Sequence, residues 1–296
     1  MATSWFVDPE LKPTTYTASY VCNNLSKHGD MMAYASVDDV VYVDTTHTPF
    51  LTHKLPCAEK SAVHQVRFCT LKELVVIVVA SDNGIQGISS VHMKEPRLVV
   101  GTSIGKLLVI GKEEDAKAGE GSGFEVCKTL TGHDEPICCV ESSLDGNLLA
   151  SSDMSGAILI HNPIDGFEIT HRIVSKGYPA TSMTFMAENW LVAGFLTGYL
   201  RLYNPETFRV HAEVAAHTRA ITALDAHNEF AVSVSEDTFM NVWEISSSKP
   251  GAGPRVKLVS SQAVPNDLLT GVVFASMNNL FTATYDTAHL KFWSPE

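Results

Sequence analysis

His217, Ser233 and Asp237 are the residues of this 296-residue chain whose types most directly suggest chemistry. A serine, a histidine and an aspartate are the parts of a nucleophilic hydrolase, in which the imidazole activates the hydroxyl and the carboxylate orients the imidazole. That reaction also needs an exposed nucleophile and donors for the oxyanion. No G-x-S-x-G elbow is present to expose the serine. Metal binding is a second chemistry to weigh, because the chain has 12 histidines. Two pairs lie close in sequence, His47/His53 and His211/His217, but neither belongs to an H-E-x-x-H or H-x-x-E-H pattern. Dispersed loop histidines are the expectation. Cysteines stand at 22, 57, 69, 127, 138 and 139 with no C-x-x-C pair, so reduced thiols are expected and a zinc or redox motif is not. Gly101, Gly105 and Gly111 lack the spacing that cradles phosphate and read as turn glycines. Arg219 and Lys176 are isolated charges and form no basic stripe for nucleic acid. No catalytic residue, cofactor or metal is therefore expected.

Composition points the same way. The hydrophobic fraction is 45% and the charged fraction 18%, values of a globular and not a disordered chain. Net charge is −12, from 21 basic and 33 acidic residues, which disfavours broad contact with nucleic acid or anionic lipid. The start, Met1-Ala2-Thr3-Ser4-Trp5, has no apolar h-region, so no signal peptide is expected. Leu74 to Ala80 is the longest apolar run; it is far too short to span a bilayer, and its β-branched residues read as a buried strand.

The elements that must position these residues are strands. Helical periodicity is nearly absent, and short alternating or β-branched runs recur between Gly, Asn, Asp and Ser. Seven hairpin signals follow one another. The clearest are Ser233 to Trp243 and Thr282 to Trp293, each a strand end, a polar turn and a second strand closing on Trp. The same unit closes on Tyr203, His161 and Ile110, with weaker copies at Ser81 to Ile88 and Ser36 to Asp44. Five of the six spacings between closing positions run from 40 to 51 residues, near the roughly 40–45 residues of a four-stranded propeller blade. Positions 89 and 110 are too close for a full blade. Two loops, 111–123 and 246–254, account for the longest spacings and mark no domain boundary, so one domain over 1–296 is expected.

Gly132-His133 precedes Ile137 to Val140, Ala216-His217 precedes Ile221 to Leu224, and His64 precedes Val66 to Phe68. A Gly-His start and a Trp close are marks of the WD repeat, so the chain resembles the WD-repeat family along nearly its whole length. Cys22 to Ser26, Gly84-Ile85-Gln86, Ala216 to Asp225 and Ser235 to Phe239 are similar to one branch of that family, which is longer after Gly84-Ile85-Gln86 than this chain.

The resemblance implies a seven-bladed β-propeller with one blade, around residues 84–105, shortened. It implies ring closure by an N-terminal strand, roughly Glu10 to Thr17, with Ser19 to Cys22 opening the first blade. It also implies a hydrogen-bonded set of His217, Ser233 or Ser235, Asp237 and Trp243, with His133 and Trp293 in matching places. No copy ends on a literal Trp-Asp pair, so the other blades are expected to rely on packing. Turn residues should gather on one rim of the channel: Arg219, Glu236, Phe239, Tyr285, Leu196 and Glu135. Tyr, Phe and Arg dominate protein interfaces, so this rim is a candidate surface for proteins or peptides. The function implied is a non-catalytic, cytoplasmic scaffold, an adaptor or a subunit of a larger assembly such as a ciliary or cytoskeletal one. A propeller hydrolase, the alternative, would place several carboxylates or histidines around the channel.

Overall fold

The computed structural model describes residues 6–57, 60–71, 73–82, 85–91, 96–112, 123–174, 176–247 and 253–295. Residues 113–122 of the first predicted loop, 248–252 of the second, and Asn83 and Gly84 lie outside them.

Six sheets have four strands each. Five are meanders of consecutive antiparallel strands, spanning 26–56, 85–130, 137–173, 180–215 and 221–263. The sixth joins Leu269–Phe274, Leu280–Thr284 and His289–Trp293 to the N-terminal strand Glu10–Pro13. Glu10 faces Phe292 and Pro13 faces His289, so the first strand covers what would otherwise be the open edge of the last sheet. First strands touch one another around the ring: Ser26–His28 meets Val63–Leu71, and Leu269–Phe274 returns to Ser26–His28. The architecture is an all-β propeller.

Burial follows the position of each strand in its sheet. Second strands such as Leu149–Asp153, Leu191–Phe195 and Leu280–Thr284 are buried at every residue, because neighbouring sheets cover both faces. Outer strands alternate; Val210–Ala215 exposes every second residue or more. Trp293 anchors the closing sheet. It is 1% exposed, its Nε1–H donates to Thr282 Oγ1 at 3.0 Å, and Phe6 stands edge-on to it at 6.3 Å.

Among the described residues the complete blades number six, not the seven expected. The seventh sheet is a two-stranded remnant, Val63–Leu71 with Leu74–Ser81, standing between the 26–56 and 85–130 blades. The shortened unit is therefore 63–81, and the described residues from 85 to 105 belong to a complete blade. The polar turn after Ser81 misled the spacing count: Ser, Asp, Asn and Gly suit a hairpin and a crossover equally. Three smaller expectations are also corrected. The 26–56 blade opens with Ser26–His28, and Ser19 to Cys22 is no strand. The N-terminal strand ends at Pro13. Of the three glycines read as turns only Gly105 is one. Gly101 and Gly111 sit inside strands, where a Cβ on Gly101 would come within 2.4 Å of the Ile137 side chain.

Trp293→Ala is expected to lower the unfolding free energy by about 3–5 kcal/mol, the cost of a large core cavity. Urea unfolding followed by circular dichroism would check it. A change below about 1 kcal/mol would mean that the closing sheet does not hold the ring.

Candidate functional site

The 221–263 blade carries a continuous chain of buried hydrogen bonds. Trp243 Nε1–H donates to Ser233 Oγ at 2.9 Å, and that hydroxyl lies 2.8 Å from His217 Nε2. On the other side of the ring, His217 Nδ1 lies 3.0 and 3.1 Å from the two Asp237 oxygens. The carboxylate also accepts the Thr218 N–H at 2.9 Å and the Phe239 N–H at 3.0 Å. One tautomer satisfies every group: Nδ1–H donates to Asp237, and Nε2 accepts from Ser233. Burial keeps His217 below its ordinary pKa despite Asp237, so the ring is neutral at pH 7. Burial works against the charge of Asp237, but the Thr218 N–H and its other donors hold the carboxyl below the usual range. Ser235 stands apart from the chain; its Oγ accepts the Asp237 N–H at 3.1 Å and donates to Arg219 O at 3.3 Å. Gly198 (φ +80°) explains how a neighbouring turn fits below this site. A Cβ there would come within 2.3 Å of the His217 carbonyl oxygen.

The hydrolase chemistry is closed off by the same geometry. Ser233 is fully buried, and its oxygen already accepts the Trp243 indole N–H. No substrate can reach it.

The 137–173 blade holds a second set around His133, which the sequence reading placed in the hydrogen-bonded set without its partners Ser151, Asp153 and His161. His133 Nδ1 lies 2.6 Å from Asp153, and Nε2 lies 2.8 Å from Ser151 Oγ. His161 takes the place of the tryptophan, with Nε2 3.1 Å from Ser151 Oγ and Nδ1 3.3 Å from the Phe167 carbonyl. Burial pushes His161 down to about 4, so its ring is neutral. If its Nδ1–H serves Phe167, two acceptor nitrogens compete for the single Ser151 hydroxyl hydrogen. With that tautomer this blade is one hydrogen short of the 221–263 blade, where the Trp243 indole supplies it. Asp153 follows His133 by 20 residues, as Asp237 follows His217, but Ser151 lies 18 residues after its histidine where Ser233 lies 16, and the tryptophan is missing, so the recurrence is obscured.

Turn residues take equivalent places on one face. The backbone N–H groups of Met154, Leu196, Glu236 and Tyr285 bond the carbonyls of Pro136, Pro179, Ala220 and Leu268 at 2.9–3.2 Å. Within this face the structure brings three expected residues together through one that the sequence reading missed. Tyr20 donates its hydroxyl to Glu236 and stands edge-on to Tyr285 at 5.8 Å, while Arg219 Nε reaches Glu236 at 3.2 Å. Tyr20 is 49% and Tyr285 48% exposed. Leu196, Phe239 and Glu135 are exposed but do not join this cluster. The signal for Tyr20 lay in Ser19 to Cys22, which was read as a strand. Asn23 just after it pins the segment across the channel: its backbone N–H bonds Thr222 O at 2.9 Å and its Nδ2 bonds Thr181 O at 3.0 Å.

Two carboxylates do converge at the channel. Arg67 lies 3.6 Å from Glu141, and Asp225 accepts the Phe274 N–H at 2.7 Å. Burial pushes Glu141 up to about 7, against the pull of Arg67 and with the help of Asp225. Burial likewise raises Asp225. Glu141 is paired with Arg67 and Asp225 accepts a backbone N–H, so the cluster ties the two-stranded sheet to the ring. Among the described residues no group of three or more His, Cys, Asp or Glu is placed to hold a metal, and the cysteines form no disulfide. No described helix is long and apolar enough to cross a membrane.

A sequence profile of the WDR54 family matches residues 89–295. Human WD repeat-containing protein 54 is 25% identical over 335 aligned positions, covering 95% of this chain and 97% of the human protein. The mouse protein of the same name is 26% identical over 77% of each chain. A shorter stretch is 32% identical to mouse telomerase protein component 1, covering 43% of this chain and 5% of that protein. Among solved structures, one chain of a crystal structure of the mitotic checkpoint complex superposes with a TM-score of 0.73 at 16% identity, over 97% of this chain and 91% of that one. At that identity the likeness concerns the fold.

Two outcomes are expected here. His217→Ala should cost about 2–3 kcal/mol, the price of stranding Asp237 and Ser233. The contribution of this histidine is complete above the unfolded value of about 6.5 and is lost as the pH falls toward its lower folded value, because the unfolded chain then binds the extra proton. The variant should therefore lose less stability than the wild type between pH 7 and 5 in parallel urea titrations. Arg67→Leu leaves Glu141 and Asp225 without their cation and should cost about 3–5 kcal/mol at pH 8. The loss should shrink at pH 6, below the raised value of Glu141, where that carboxyl is protonated. A loss independent of pH would show that the ion cluster is not responsible.

Proposed function

The chain belongs to the WDR54 family of WD-repeat propellers, and on that premise we propose that it captures a peptide or loop of another protein on one rim, through Tyr20, Arg219, Glu236 and Tyr285. Propellers of this kind are generally protein-interaction scaffolds without a chemical step of their own. The observation that carries the proposal is the exposed aromatic pair beside an ion pair, held in place by Asn23. Two tyrosines offer rigid amphipathic area at small entropic cost, and the Arg219–Glu236 pair can exchange partners with an incoming charge. Leu196, Phe239 and Glu135 extend the same face outward. The chain would act as an adaptor or as a subunit of a larger cytoplasmic assembly, with ciliary or cytoskeletal complexes among the settings.

Arg219→Glu and Glu236→Arg, made separately, should each abolish capture of partners identified by crosslinking mass spectrometry in the source cell. Melting temperature should stay within a few degrees of wild type for Arg219→Glu, whose side chain is exposed, and fall somewhat further for Glu236→Arg, whose side chain is 18% exposed and accepts the Tyr20 hydroxyl. The combined swap should restore part of the capture. If both single variants fold and retain every partner, the rim is not the binding surface.

A further inference from the structure

Six first strands share a bulge between their first and third residues, those that begin at Val63, Ile85, Ile137, Ala180, Ile221 and Leu269. A shared bulge gives a shared register, so their fifth residues stand at one level: Arg67, Ser89, Glu141, Thr184, Asp225 and Val273. The rim turns bond Pro136, Ala220 and Leu268, the residues just before three of these strands. This level therefore lies past the rim, toward the opposite mouth of the channel. Arg67 reaches past the 85–130 blade to Glu141, yet the contact is 3.6 Å, longer than a hydrogen bond. Its Nε is buried and has no hydrogen-bond partner among the described residues. A guanidinium is a planar fork of N–H donors, and a buried donor left unmet is costly.

Arg67 stands between two cavities. One, of about 180 Å³, is lined by Ser89, Glu141 and Ser142 beside it. The other, of about 220 Å³, is lined by Ser26, Lys27 and Asp225. The second holds two cations and one acid. Lys27 forms no ion pair among the described residues. Ser26 Oγ accepts the Phe68 N–H at 3.0 Å and keeps its own proton to donate. The Asp225 carboxylate is turned to the Phe274 N–H at 2.7 Å. Three kinds of donor thus border one small space: the Arg67 guanidinium, the Lys27 ammonium and the Ser26 hydroxyl. The complement is small, anionic and rich in acceptors. A tetrahedral oxyanion has oxygens for donors from several directions, and a guanidinium edge can hold two of them. A cation would meet Arg67 and Lys27 instead.

We propose that this cavity binds a small tetrahedral oxyanion, inorganic phosphate or the phosphoryl head of a monoester, between Lys27 of the 26–56 blade and Arg67 of the two-stranded sheet. The ion would bridge two units that share no backbone ladder, and so fasten the 63–81 sheet on the side away from Glu141. Proton uptake accompanies it. Glu141 faces Arg67 from 63–71 and Asp225 from 221–227; Asp225 faces Arg67 and His227, and the thiols of Cys69 and Cys139 lie toward Arg67. The 85–91, 180–185 and 269–274 strands bring the uncharged Ser89, Thr184 and Val273 to this level. Burial already pushes Glu141 up to about 7. A neighbouring anion raises a carboxyl further, so binding tightens as the pH falls through that range. The site lies away from the rim, and neither reading depends on the other.

The test is calorimetric titration of the full chain with sodium sulfate, against sodium chloride at equal ionic strength. Sulfate is the probe because its charge is constant between pH 8 and 6. Saturable binding of one sulfate per chain is expected, several-fold tighter at pH 6 than at pH 8. Lys27→Gln changes a half-buried side chain, should keep the fold by circular dichroism, and should weaken binding about tenfold, the worth of one charge-assisted hydrogen bond. Glu141→Gln should bind sulfate at pH 8 about as the wild type does at pH 6. Arg219→Glu on the rim should change nothing. Inorganic phosphate and phenyl phosphate, compared at pH 8, separate the sources: binding of the ester assigns a monoester, and its exclusion assigns the free ion. The proposal is overturned if sulfate gives no more heat than chloride, if folded Lys27→Gln binds like wild type, or if binding does not tighten at pH 6.

Discussion

The structure depends on pairing strand edges. A blade is a sheet with an inner and an outer edge, and a ring of blades is stable only when each inner strand meets its neighbours and the last blade is completed. The segment Glu10–Pro13 meets the second condition by joining the strand His289–Trp293, Glu10 facing Phe292. That single pairing converts an open stack, which would expose His289–Trp293, into a closed ring. It also brings Phe6 onto Trp293, so that the ends of the chain share one core.

Closure in turn fixes the faces. Once the ring is shut, the turns that follow each second strand point to one side, and the loops before each first strand run beneath them. His217 and His133 lie on those loops and bond to the turns through Asp237 and Asp153. The two histidines are buried, neutral and used as adaptors between an acid and a hydroxyl. Their work is to hold loop to turn. The rim residues Tyr20, Arg219, Glu236 and Tyr285 stand on this frame, which is why an ion pair with an exposed arginine and two exposed rings can keep a defined arrangement.

The same logic makes the 63–81 sheet the exception. Its inner strand completes the ring, and Arg67 fastens it to Glu141. Its outer edge, however, is left with what a complete blade would bury. Ring closure and blade completion are separate requirements, and this chain meets the first without meeting the second.

The sequence alone determined the all-β class, the repeat and the best-formed hydrogen-bonded set, because strand alternation and turn residues are local patterns that recur and one blade carries His, Ser, Asp and Trp together. It also placed Arg219, Glu236 and Tyr285 on one rim, since equivalent turns of a repeat must lie on one face. The tertiary structure decided the rest. Which of two similar polar turns closes a hairpin and which crosses to the next sheet depends on what the following strand pairs with, so the count fell from seven blades to six and the short unit moved from 84–105 to 63–81. Whether His133 has a full set depends on Ser151, Asp153 and His161 meeting across strands that local spacing does not join. Tyr20 reaches Glu236, 216 positions along the chain, only because the ring returns the first segment to the last blades.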